Sequence, residues 1–168
     1  MRFAIGDLII YNEIGVCRVD DIIEKEFPDG VKKCYKLQPI YQSCAIFTPV
    51  DNETVFMRHI ISREEADKLI NDVCDIKPAE ITSASPRELS NEYESIIKLH
   101  DCAELVALTK HIYTKRARLV SVKKKLPAVD ERYVKKAEDL LFGELAAALG
   151  IDKSSVRENI AEKVGANK

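Results

Sequence analysis

The 168-residue chain contains no tryptophan, only six glycines and no long uncharged apolar run. Without such a run the chain has no candidate transmembrane helix, which needs about 20 predominantly apolar residues. The opening MRFAIGD meets an acidic residue too early for the apolar core of a secretory signal. The few glycines form no phosphate-cradling loop. We therefore expect a cytoplasmic protein with no membrane association.

Cysteine is present in an odd number and without a recognisable pattern. The five residues are Cys17, Cys34, Cys44, Cys74 and Cys102, and no C-x-x-C pair occurs among them. The three histidines lie at no zinc-finger spacing from these cysteines. The sequence predicts neither a disulfide framework nor a metal site, as is typical of a reducing compartment.

The formal net charge of −2 conceals a strongly basic segment. Residues 110–136 carry 10 basic and 2 acidic side chains, whereas the rest of the chain is acidic. The segment favours a polyanion-binding surface, with a solvated basic helix face as the alternative. The candidate residues are Lys115, Arg116, Arg118, Lys123, Lys124, Lys125, Arg132, Lys135 and Lys136.

The periodicity of apolar residues predicts an α+β protein of two domains. Up to about residue 59, short runs rich in Val, Ile, Phe and Tyr are separated by turn formers such as Pro28-Asp29-Gly30. Five such strands predict a small barrel of the SH3 or Tudor-like kind over residues 1–59, because closure removes exposed strand edges. Residues 60–168 predict an all-helical domain of about five helices.

Several signals place the ends of the predicted helices. Ser62 with Glu65 has the spacing of a capping box, and Ser85-Pro86 repeats a helix start. Asp101 is a candidate cap of a third helix, and Gly150 is a candidate terminator of a fourth.

No set of residues resembles an active site, so we predict that the protein is not an enzyme and needs no cofactor or small-molecule substrate. The nearest candidate, His100-Asp101-Cys102, places neighbours in different directions on a helix. A thiol-based redox role for Cys102 is the alternative from a different functional class.

The layout resembles the CarD/CdnL family of bacterial RNA polymerase-binding transcription regulators. The similar motifs are Phe3-x-x-Gly6-Asp7-x-Ile9-Ile10-Tyr11-x-x-x-Gly15, Pro49-Val50-x-Asn52, Arg58-x-Ile60-Ile61-Ser62, Lys136-Ala137 and Leu141-Phe142-Gly143-Glu144-Leu145-Ala146. The resemblance implies a Tudor-like domain that docks on the polymerase β subunit, partly by adding a strand edge to its sheet. Lys25 and Phe47 stand at positions implied to bind polymerase.

The resemblance also implies that the helical domain contacts promoter DNA, mostly through the backbone and minor groove, and stabilises the open complex. Leu89 matches the position of the family's wedge tryptophan, and Lys136 matches a phosphate-contacting position. Leu89 begins an apolar stripe before Tyr93, so a core residue is the alternative to a wedge. A polymerase-tethered protein-interaction module without a DNA wedge is the corresponding functional alternative. The implied location is the cytoplasm, at the nucleoid through RNA polymerase.

Overall fold

The computed structural model describes residues 2–166 of the chain. The chain divides into two compact units, one ending at Ile61 and the other beginning at Ser62. The break lies two residues beyond the predicted boundary, because the Ile60 amide still donates to the Leu8 carbonyl at 3.2 Å and keeps this segment on the sheet.

The first unit is a five-stranded antiparallel sheet. Its strands are β1 (Leu8–Tyr11), β2 (Gly15–Phe27), β3 (Gly30–Pro39), β4 (Ile46–Pro49) and β5 (Met57–His59), in the spatial order β4-β3-β2-β1-β5. The predicted hairpin is confirmed, since Phe27 pairs with Gly30 across Pro28 and Asp29.

The α+β fold class is confirmed, but the predicted closure into a barrel is corrected. In the described residues β4 pairs with β3 and β5 pairs with β1, and no pairing joins β4 to β5. These edge strands have only four and three residues. The sheet therefore keeps two edges.

One face of the sheet carries the core of the first unit. Its buried residues are Phe3, Ile9, Cys17, Val19, Tyr35, Leu37 and Met57. They fall on alternate strand positions, as the two-residue period of a half-buried strand requires. The Tyr35 hydroxyl lies 3.2 Å from the Phe3 amide and accepts its hydrogen bond, which ties the N-terminal segment to the core.

The second unit consists of helices. They are α1 (Arg63–Asn71), α2 (Pro86–Ile97), α3 (Cys102–Ser121), α4 (Ala128–Leu149) and α5 (Lys153–Ala166). Helix α4 packs against each of the other four and forms the centre of the unit. Among the described residues, no helix combines the length and apolarity needed to cross a membrane.

The predicted helix ends are confirmed by their hydrogen bonds. Ser62 and Glu65 exchange the two bonds of a capping box, at 2.7 and 3.0 Å. Ser85 and Asp101 each accept from the amide three residues on. Gly150 ends α4 with φ of 68°, a left-handed conformation that costs glycine little.

Candidate protein-binding edge and nucleic-acid interface

The two residues expected to bind polymerase lie together on the solvent face of the sheet. Lys25 on β2 places its Nζ 4.1 Å from the ring centroid of Phe47 on edge strand β4. An ammonium at this distance is attracted by the negative face of the ring. Lys36 lies opposite Phe47 in the β3–β4 register and adds a second positive charge beside it. The sheet thus presents one exposed aromatic ring in a basic setting.

Strand β4 also presents unpaired backbone. The Val50 amide donates to the Lys33 carbonyl at 3.0 Å, and main-chain groups alternate in direction along an antiparallel strand. The amide and carbonyl of Phe47 therefore point away from β3, toward the open edge. Pro49 has no amide proton, and its carbonyl accepts from the Asn52 amide at 3.1 Å. Thr48 between them is buried and accepts a hydrogen bond from Asn52 at 3.1 Å, which anchors the strand. At Phe47 this edge offers one amide and one carbonyl to an added strand.

The opposite edge, at β5, is partly occupied. The Arg2 guanidinium donates to the Met57 carbonyl. His59 lies 3.1 Å from Asp7, and the Ala4 amide together with His59 lowers the pKa of that carboxyl. An extended segment pairing with β5 would have to displace the arginine. Of the two edges, β4 is the more accessible to a partner.

In the second unit, the basic segment forms the end of α3, the following turn and the start of α4. Three of its candidate residues are neutralised by acidic neighbours: Lys115 pairs with Asp130, Arg116 with Glu131 and Lys136 with Glu94, at 3.0 to 3.1 Å. The sequence alone did not indicate these ion pairs. The positive surface is therefore smaller than its composition implies.

Lys115 is an internal residue. Its side chain is 18% exposed and its Nζ lies 3.0 and 3.1 Å from the two carboxylate oxygens of Asp130, which is fully buried. The Tyr93 hydroxyl donates to the same carboxylate. Burial, followed by the hydrogen bond and charge of Asp130, raises the pKa of Tyr93 and keeps it a donor. This cluster ties α2, α3 and α4 together, so Lys115 is mainly a structural residue with one donor left for an anion.

The remaining candidate cations are exposed and form no ion pair among the described residues. They are Arg118, Lys123, Lys124, Lys125, Arg132 and Lys135. We refer to Lys123, Lys124 and Lys125, in the turn after α3, as the basic tip. Arg132 lies against the ring of Tyr133, with its guanidinium carbon 4.9 Å from the centroid.

The basic tip has a defined backbone conformation. The Lys124 amide donates to the Leu119 carbonyl at 2.8 Å and the Lys123 amide to that of Val120 at 3.0 Å, which is the Schellman arrangement. Lys123 occupies the left-handed position, with φ of 58°, where glycine is the usual residue. A side chain at this φ costs about 1 kcal/mol, so Lys123 occupies a strained position on the most basic part of the surface.

Of the two alternatives for Leu89, the structure supports the core. Leu89 is 4% exposed and lies on the buried face of α2 with Tyr93 and Ile97. A side chain that inserts between base steps must be exposed. The expected DNA wedge at Leu89 is therefore wrong. Leu89 belongs instead to the apolar stripe on the buried face of α2.

The buried acidic residues were missed by sequence reasoning. Asp130 stands in the first turn of α4, where an acidic residue is ordinary at a helix start, and nothing local indicates its burial. Glu144 is also buried and lies 3.3 Å from the Cys102 sulfur, which donates to it. The pairs Asp130–Lys115 and Glu144–Cys102 both join residues distant in sequence, and no local sequence pattern indicates such pairs.

Three of the five cysteines, Cys17, Cys34 and Cys102, are buried. Burial raises the pKa of Cys17 to about 12 and raises the pKa of Cys34 as well. Cys102 is buried, and its sulfur donates to the Glu144 carboxylate. Within the described residues, no group of three His, Cys, Asp or Glu side chains could hold a metal ion.

The chain was compared with known protein families. Residues 3–61 match the family described as the CarD-like/TRCF RID domain. The matched segment ends where the first structural unit ends, at Ile61. A comparison with curated proteins finds no match. The match therefore concerns the strand-built unit, and the helical unit is described by its geometry alone.

Proposed function

We propose that the chain regulates transcription by binding the polymerase β subunit and promoter DNA together. The match of residues 3–61 to the CarD-like/TRCF RID domain supports an RNA polymerase-interacting, transcription-related protein. The β4 edge with Phe47 and Lys25 takes the polymerase, and the basic tip with Arg118 takes the DNA. Its action is binding without a chemical step, in the cytoplasm at the nucleoid.

The observation that carries the polymerase contact is the Lys25–Phe47 stack beside unpaired backbone on β4. An exposed edge offers main-chain hydrogen bonds for affinity, and the adjacent side chains give specificity. A half-exposed aromatic ring held by a lysine is already ordered, so little side-chain entropy is lost on docking. Aromatic anchors of this kind often dominate binding energy.

The DNA contact is proposed through phosphates. The basic tip, Arg118, Arg132 and Lys135 offer donors for the DNA backbone but no group aimed at a base edge. With Leu89 in the core, no wedge is included. DNA held against the polymerase stabilises whichever promoter state makes these contacts best, and we propose that this is the open complex.

The polymerase contact is tested by titrating an isolated β-subunit fragment with the full chain. Phe47→Ala is expected to weaken binding tenfold or more, because it removes the aromatic anchor. Phe27→Ala is the matched control: Phe27 also lies near a lysine, Lys32 at 5.7 Å, but stands at the hairpin end of β2. Equal effects of the two substitutions would contradict a contact centred on β4.

Strand addition is separated from the aromatic contact by a second substitution. Phe47→Pro removes the ring and also the outward amide, at an edge position where proline is tolerated. It should bind more weakly than Phe47→Ala. The same affinity for both variants would mean that the β4 backbone does not pair with the partner.

The DNA contact is tested by the salt dependence of binding to duplex DNA. Changing Lys123, Lys124 and Lys125 to Gln should weaken binding and reduce the salt slope by about 0.9 for each phosphate that the variant no longer neutralises. The control changes Lys68, Lys98 and Lys163 to Gln, which removes the same charge from other exposed positions of this unit. If the control lowers the slope equally, the basic tip is not an interface.

A second candidate is a polymerase-tethered module that binds another protein through the same tip. Val120 and Val122 are exposed there beside the lysines, which favours a mixed apolar and basic contact. Open-complex lifetime distinguishes the two candidates. A lifetime lengthened by the wild type and restored to its unbound value by the basic-tip variant supports DNA contact, whereas an unchanged lifetime supports the second candidate.

A further inference from the structure

Helix α3 lines a cleft in the helical unit, and of its lining residues only Arg118 is among the cations proposed above to contact DNA. Its volume is about 300 Å³, at the small end of the range for ligand sites. Its polar side includes His111, Thr114, Lys115 and Arg118, and its apolar side includes Ile81 and Leu89. Ser83 also lines it, and its hydroxyl donates to the Glu92 carboxylate. The α3 residues recur on one helix face, and the segment between α1 and α2 covers them. No acidic side chain is among the residues that line the cleft.

The charges around this cleft favour an anion. The Asp130 carboxylate next to Lys115 already accepts hydrogen bonds from Lys115 and from the Tyr93 hydroxyl. Lys115 uses two of its three donors on that carboxylate, and one remains. Arg118 is exposed and has no ion-pair partner among the described residues. A guanidinium suits the geometry of tetrahedral oxyanions because its donors form a fixed fork.

We propose that this cleft is a binding site for a phosphate group, held by Arg118, by the remaining donor of Lys115 and by His111. The apolar wall at Ile81 and Leu89 would contact the organic part of a small phosphate ester. Leu89, which matched a DNA wedge by position, then serves as a wall of this site. The phosphate could belong to a free ester or to the DNA backbone, and the test separates these sources.

His111 makes binding sensitive to pH. Burial, followed by the charge of Lys115, lowers the pKa of His111, and Arg118 on the same helix acts in the same direction. A hydrogen bond at the Ala79 main chain and the charge of Asp130 on α4 oppose this shift, and the Tyr93 ring of α2 faces the imidazole at 6.5 Å. A bound anion favours the protonated imidazole, so affinity should rise as the pH falls.

The first experiment titrates the full chain with sulfate, which keeps a constant charge between pH 6 and pH 8 and so reports only protein groups. Arg118→Gln should weaken sulfate binding about tenfold, the loss typical of one charge-assisted contact. Lys123→Gln removes the same charge outside the cleft and should change affinity less than twofold. Equal losses in the two variants, or no saturable binding by the wild type, overturn the proposal.

The second experiment repeats the titration of the wild type and of His111→Gln at pH 8 and pH 6. The wild-type affinity should increase at pH 6 by up to about tenfold per pH unit, the limit for uptake of one proton. The variant, with far-UV circular dichroism confirming its fold, should lose this increase. A wild-type increase that persists in His111→Gln overturns the role of His111 in the site.

The third experiment identifies the source of the phosphate. A nucleoside monophosphate that displaces sulfate without affecting duplex binding indicates a free ester, and a duplex that displaces sulfate indicates the DNA backbone. Only the duplex arm depends on the proposed function. Loss of DNA binding with sulfate binding retained would therefore count against that function alone.

Discussion

Lys115→Met is the substitution that best separates structural from functional cations in this protein. The substitution keeps most of the apolar stem of the side chain and removes the ammonium with its charge and its donors. It leaves the fully buried Asp130 carboxylate with the Tyr93 hydroxyl as its remaining donor among the contacts described above. Breaking a buried pair in this way costs about 3–5 kcal/mol, because the surviving charge remains out of water. We expect a loss of that size in the unfolding free energy of the helical unit.

The assay is urea unfolding followed by circular dichroism at 222 nm, which reports the helices. The midpoint should fall with an unchanged m-value, since the same surface is exposed on unfolding. The control is Lys124→Met, which alters an exposed residue of the basic tip and should stay within about 0.5 kcal/mol. Lys115→Met combined with Asp130→Asn should recover part of the loss, because it removes the uncompensated charge while keeping a partner for Tyr93.

A different result would refute the reasoning. If Lys115→Met costs no more stability than Lys124→Met and weakens DNA binding as strongly, the ammonium is available to DNA. The Asp130 pair would then not hold it inside the unit. The double variant distinguishes the two cases further, since a surface lysine would show no coupling to Asp130.

Three further outcomes follow from the same structure. Leu89→Ala should lower the unfolding free energy by about 2–5 kcal/mol, measured in urea, because it empties a buried position; a cost below 1 kcal/mol would contradict its place in the core. Lys123→Gly should raise stability by up to about 1 kcal/mol by relieving the left-handed position, while weakening DNA binding because it removes a charge; a decrease in stability would contradict the strain. Stability should fall as the pH drops below about 6.5 toward the lowered pKa of His111, because the unfolded state takes up the proton first; midpoints at pH 7.5 and 5.5 should converge in His111→Gln.

Local features of both units could be predicted from the sequence because neighbouring residues produce them. The caps at Ser62, Ser85 and Asp101 depend on side chains within three residues of the amides they bind. The hairpin at Pro28-Asp29-Gly30 depends on turn chemistry of the same short range. These contacts can be predicted without knowing how the helices and strands pack. The α+β division follows for the same reason, since strand and helix periods are properties of short segments.

The composition of the functional surfaces depended on contacts between distant residues. Lys136 meets Glu94 across 42 positions and Lys115 meets Asp130 across 15, so the basic segment loses charge to partners that no spacing rule connects. Whether the sheet closes was likewise decided by the pairing of its short edge strands.

The sequence by itself determined the elements, their ends and the concentration of positive charge in residues 110–136, because propensity, capping and charge are written in neighbouring residues. Only the tertiary structure decided that Lys25 stacks on Phe47 at an open edge, that Leu89 is buried, and that Arg118 lines a cleft free of acidic side chains. Burial and ion pairing depend on which residues distant in sequence pack together, and that is determined only when the secondary-structure elements of each unit pack.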